Sequence, residues 1–131
     1  MRKKCLLVLI PLIVLLICIF VYKFNSNNHQ KKTMILSLCQ EIKNDGYNVD
    51  LMDYQKSRSE DLPYKETPNI LIVNEEEWFV FIYSSSREAE KAYNLTKSPF
   101  LEHCYLKEQY IIYYIGENSE TKEYIKSIIQ K

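Results

Sequence analysis

The sequence predicts an α+β domain behind a single apolar membrane helix, and three observations carry that reading. The stretch "CLLVLIPLIVLLICIFVY", Cys5 to Tyr22, runs for eighteen residues without a charge. Two later segments, "WFVFIY" at 78–83 and "YIIYYI" at 110–115, are apolar throughout, whereas a strand with one wet face alternates. Around each of them the chain reads strand, tight turn, strand and capped helix, the second time thirty-two residues after the first. The expected architecture is an N-terminal transmembrane helix and then an antiparallel sheet of about five strands with helices, built around two ββα units.

As a helix the apolar run spans ~27 Å, enough for a hydrocarbon core of about 30 Å. Phe20 and Tyr22 fall where an interfacial aromatic belt forms, Lys23 can snorkel beside them, and Pro11 is tolerated in a spanning helix. A cleavable signal peptide has a shorter apolar core and small residues at its cleavage site, which "VYKFNSN" does not offer. A lipoprotein signal wants a small residue before its cysteine, and Ile17 precedes Cys18. The segment is therefore read as an uncleaved signal-anchor. Arg2, Lys3 and Lys4 crowd the N-terminus, which favours that end in the cytoplasm and a single-pass protein of the cell membrane with its C-terminal domain outside. Residues 1–4 are then a cytoplasmic tail, 5–22 the span, 23–32 a polar tether ("KFNSNNHQKK"), and 33–131 an extracytoplasmic domain.

In "TMILSLCQEIKNDG", Ile35, Leu38, Cys39 and Ile42 follow the spacing of an amphipathic helix that Gly46 can cap. "YNVDLMD" alternates and reads as a strand. "YQKSRSEDLPYKETP", with Pro63 and Pro68, reads as a long polar loop. In the repeated part Trp78 maps to Tyr110, Ile82 to Tyr114, Ser86 to Asn118 and Glu88 to Glu120, while Ser85 and Glu88 form a capping box. Three-residue turns at Glu75–Glu77 and Lys107–Gln109 would pair Ile72 with Val80 and Cys104 with Ile112. That register gives an aliphatic face, including Ile70, Val80, Cys104 and Ile112, to be covered by both ββα helices. The other face is aromatic with polar tips: Phe79, Phe81, Tyr83, His103, Tyr105 and Tyr113. It is the candidate partner-binding face.

Charge and motifs exclude more than they identify. The chain is neutral overall, but from Thr33 onward eleven lysines and arginines face seventeen acidic residues, a net charge of −6. Such a domain is a poor nucleic-acid binder. With only two glycines there is no phosphate-cradling loop, and two histidines without HExxH or CxxC build no zinc site. Adjacent His103 and Cys104 point to opposite sides of a strand, so they do not form a nucleophile pair. The acidic turn Glu75–Glu77, with Asp50 and Asp53, reads as solvated charge. No cofactor, metal or catalytic residue is expected. Outside the cytoplasm a disulfide between Cys39 and Cys104 is permitted, provided that the first helix packs on the face that holds Cys104.

The plan of basic N-terminus, span, tether and α+β domain, with its aromatic strand, polar cap and helix in "FVFIYSSSREAEKAY", resembles small uncharacterised membrane-anchored or lipoprotein-like proteins of Gram-positive bacteria. That resemblance implies no activity. The expected role is non-enzymatic: an extracytoplasmic protein-binding domain, an accessory subunit of a cell-envelope complex, with an unknown protein partner and no nucleic acid. A surface immunity or exclusion factor is the alternative within the binding class. An envelope enzyme with its polar groups in the loop Gln55–Pro68 is the rival.

Overall fold

Apolar periodicity and turn chemistry together set the elements of this chain. The computed structural model describes the backbone of residues 2–55 and 61–131, and within those ranges the side chains from Ile10 onward. Two units separate, Met1–Thr33 and Met34–Lys131. The described residues of the first lie within helix α1, Arg2–Asn44, and its side chains from Ile10 to Gln30 are all exposed. This helix is long and apolar enough to cross a membrane. The segment 23–32, expected as a tether, is helical. No glycine or proline falls between Pro11 and Gly46, so nothing terminates the helix, and adding residues to a formed helix costs far less than nucleating one.

α1 ends where the sequence places its cap. Gly46 sits at φ +93°, its N–H bonds Lys43 O at 3.0 Å, and the N–H of Tyr47 bonds Ile42 O at 3.2 Å. This is the paired closing bond of a Schellman motif, which needs a left-handed residue. Five antiparallel strands follow: β1 (Val49–Met52), β2 (Asn69–Val73), β3 (Glu76–Ile82), β4 (Cys104–Lys107) and β5 (Tyr110–Tyr113). Their order in the sheet is β1-β2-β3-β5-β4. Helix α2 spans Ser86–Asn94, with Ser85 accepting from Glu88 N–H, and α3 spans Ser119–Gln130, capped by Asn118.

The hairpin turns are one residue shorter than the sequence led us to expect. Val73 pairs with Glu76 and Lys107 with Tyr110, so the connections are Asn74–Glu75 and Glu108–Gln109. Asn74 and Glu75 have φ of +47° and +71°, the positive pair of a type I′ turn, whose twist matches the flanking strands. Asn tolerates that conformation. It also ties the turn to the start of β1, since Asn48 N–H donates to Asn74 Oδ1 at 3.0 Å and Asn74 N–H to Asn48 O at 3.0 Å. The changed register alters which residues share a face. Leu71 and Val73, not Ile70 and Ile72, join Trp78, Val80 and Ile82, and Tyr105, not Cys104, joins Ile112.

Helices cover both sides of the sheet, not one. On the first side the last turns of α1 (Ile35, Leu38, Cys39, Ile42) and α3 (Ile125, Ile128) pack with Trp78, Val80 and Ile112. On the second, α2 brings Ala89 and Ala92 against Phe79, Phe81 and Ile111. The departure from the expected one-sided arrangement has a steric logic. α1 and α3 already fill the first side, whereas the small alanines of α2 let a helix close on large rings. Behind β3 the chain reaches α2 in three residues, 83–85, but five residues, 114–118, lead from β5 to α3. The two units therefore repeat in sequence but place their helices differently.

The domain's last helix is fastened to α1 by charge. Asp45 accepts from Lys131 Nζ at 2.7 Å and from Tyr124 Oη at 2.9 Å, and Tyr124 stacks on Tyr47 at a ring separation of 4.0 Å. These hydrogen bonds, that of Lys131 foremost, hold the Asp45 carboxyl below the usual carboxylate range.

Two measurements test this architecture. Replacing Glu75 by Gly removes the left-handed penalty of a side chain at φ +71°, and should raise stability by about 0.5–1 kcal/mol, read as a higher urea midpoint with an unchanged slope. A lower midpoint would contradict the type I′ turn. For Asp45, a depressed folded-state pKa means stability that is present above the unfolded value of about 3.9 and is lost as pH falls through the lower folded value. The destabilisation by Asp45→Asn should therefore be measurable at neutral pH and shrink below about pH 4. A penalty independent of pH would remove the ionic contact from the account.

Candidate functional site

β3 presents Phe79 and Phe81 on one side, Tyr83 just beyond its end joins them, and β5 adds Tyr113 beside them. This is the surface that the sequence offers as a docking face, and the domain itself covers it. Phe81 is 0% exposed, Phe79 2%, Tyr113 3% and Tyr83 7%. The cover comes from α2 and from the long segment between β1 and β2. Tyr54, Leu62 and Tyr64 fold down from that segment, and Phe100 closes the β5 end against Tyr113 at a ring separation of 6.0 Å. Tyr64 meets Phe81 edge-on at 4.9 Å and Tyr83 at 6.3 Å.

The phenol tips are what made this face look half-wet in the sequence; that of Tyr83 finds a partner under the cover, as does that of Tyr64 in the cover itself. Tyr64 Oη lies 2.7 Å from Thr96 Oγ1, which in turn contacts Ala92 O at the end of α2 at 3.1 Å. Tyr83 Oη donates to Glu66 Oε2 at 3.4 Å. Burial pushes both phenols well above their ordinary range, and beside Tyr83 the Glu66 carboxylate adds to the effect. They are protonated pins between loop, helix and sheet, not acids poised for proton transfer.

The remaining members of the predicted face separate. Tyr105 projects to the opposite side, into the core with Ile112 and α3, because β4 is shifted by one residue against the expected register. His103 ends a short 3-10 turn, Phe100–His103, ahead of β4. Its Nδ1 lies 3.1 Å from Tyr114 O, and a carbonyl can only accept, so that nitrogen carries a proton. Its ring meets Tyr113 edge-on at 6.4 Å. This histidine clips the start of β4 to the end of β5.

The candidate disulfide is undone by the same register. Cys39 belongs to the core under α1 and α3, whereas Cys104 belongs to the core under α2, so the sheet lies between them. Both are free thiols, and burial raises the pKa of each, which makes them poor nucleophiles.

Among the described residues no group of three or more histidine, cysteine or acidic side chains could hold a metal ion. The acidic turn is put to structural use. Glu76 accepts from Asn118 Nδ2 at 3.1 Å and from Thr121 Oγ1, which fastens the start of β3 to the start of α3. Beside this contact Tyr114 packs edge-on to Trp78 at 6.4 Å, and Gly116 is required there because a Cβ would collide with the Tyr114 phenol. Of the loop Gln55–Pro68, residues 56–60 lie outside the described residues. Leu62 and Tyr64 serve as cover, and Glu66 partners Tyr83.

With both faces closed, the open features are at the margins. β1 pairs with β2 alone, leaving the backbone of its outer edge without a strand partner among the described residues, and Leu51 and Met52 are 45% and 49% exposed. A cleft of about 620 Å³, lined by Lys43, Gly46, Tyr47, Asn48, Val49 and Asp50, runs beside the start of that strand. Sequence reasoning passed over this margin because an alternating strand gives no sign of being at a sheet edge.

Phe81→Ser decides between core and surface. Deleting a fully buried ring and leaving a hydroxyl in an apolar pocket should cost about 3–5 kcal/mol or more, seen as cooperative unfolding at lower urea. A loss of less than about 1 kcal/mol would mean that the ring is open to solvent after all.

No protein-family model, curated protein or solved structure matches this chain, so no functional residue is carried over from a relative.

Proposed function

We propose that this is a single-pass membrane protein whose C-terminal domain lies outside the cytoplasm and binds another protein, as a non-enzymatic accessory subunit of a cell-envelope complex. Two features support the membrane part: the uncharged run Cys5–Tyr22 and the exposed apolar surface of α1 from Ile10 to Phe24. Arg2, Lys3 and Lys4 support the orientation. The binding part rests on one observation, the open edge of β1 with Leu51 and Met52 exposed. An edge strand offers unpaired N–H and C=O groups to an extended segment of a partner, and main-chain pairing supplies affinity without any catalytic constellation. The aromatic face has no part in this reading, since α2 and the β1–β2 connection occupy it.

Orientation is tested on intact cells stripped of their wall. Added protease should digest the domain 33–131, whereas protection until lysis would place it in the cytoplasm. The edge is tested with Leu51→Lys and Met52→Lys, which put charge on exposed positions, as natural sheets do to block edge pairing. Stability should change by less than about 0.5 kcal/mol, and a photo-crosslinker at Asp50 should lose the partner that it captures in the unaltered protein. The same partner captured with equal yield from both proteins would eliminate β1 as the contact.

A further inference from the structure

We draw no further inference here: the strongest candidate, the acidic cleft of about 260 Å³ between the start of β3 and the β5–α3 turn, carries nothing beyond the fold, because Asn118 and Thr121 already engage the Glu76 carboxylate, Lys122 pairs with Glu117 at 2.9 Å, and nothing among the described residues points to a ligand there.

Discussion

The two-sided burial of β3 governs this domain. From Trp78 to Tyr83 no side chain is more than 7% exposed, so neither face of the central strand touches water. An antiparallel sheet commonly keeps one wet face and alternates accordingly. A strand that does not alternate obliges the rest of the chain to supply two covers. α1 and α3 provide one, with six aliphatic or thiol side chains set at helical spacing. α2 is too short to provide the other alone. Its nine residues bring one fully buried alanine, and the remaining area is closed by Tyr64, Leu62, Tyr54 and Phe100 from connecting segments. The β1–β2 connection is therefore part of the core's cover, which gives a structural reason for its length.

Much of this was legible in the chain because it depends on local chemistry. The helical stripe Ile35, Leu38, Cys39 and Ile42, the Gly46 stop, the Ser85–Glu88 cap and the five strands are all set by spacing and by residues within a few positions of one another. What escaped depends on the register of two hairpins. "NEEE" contains no Asn-Gly or Asp-Gly, the usual mark of a two-residue turn, and a glutamate at φ +71° is not what intrinsic preference predicts. A shift of one residue in the second hairpin moved Tyr105 and Cys104 to the wrong sides of the sheet and with them the disulfide, and a shift of three in the first did the same to Ile70 and Ile72. The aromatic face failed as a docking surface for a different reason. A tyrosine tip such as that of Tyr83 looks alike in sequence whether water or Glu66 satisfies it, because that partner comes from 17 residues away.

α1 joins two surface patterns within one element. Its first part is apolar around its whole circumference, as suits a helix surrounded by hydrocarbon, and from Met34 onward it narrows to one buried stripe. The boundary of the folded domain therefore does not coincide with the end of the apolar run. The stripe Ile35, Leu38, Cys39 and Ile42 belongs to the core, since Ile42 is 0% exposed and Leu38 is 3%. A domain fragment that began at β1 would leave Trp78, Val80 and Ile112 without half of their cover, an apolar loss of several buried side chains at roughly 1.5–3 kcal/mol each.

Closing both faces also narrows how such a domain can recognise anything. A large flat patch is no longer on offer, and the exposed apolar side chains of the domain are scattered singly over Leu36, Leu95, Leu101 and Ile115, a pattern that ordinary surfaces share. β1 differs in that its edge, without a strand partner among the described residues, also carries the exposed apolar side chains Leu51 and Met52. Its four residues equal the four of the opposite edge strand, β4, which carries Lys107, whose Nζ donates to Ile128 O at 2.8 Å. No lysine stands within β1 itself, where Asp50 is the only charge. One edge strand thus carries a lysine that is tied to α3, and the other carries none. That asymmetry is what supports proposing β1 as the edge for main-chain pairing, in place of the aromatic face that the domain itself covers.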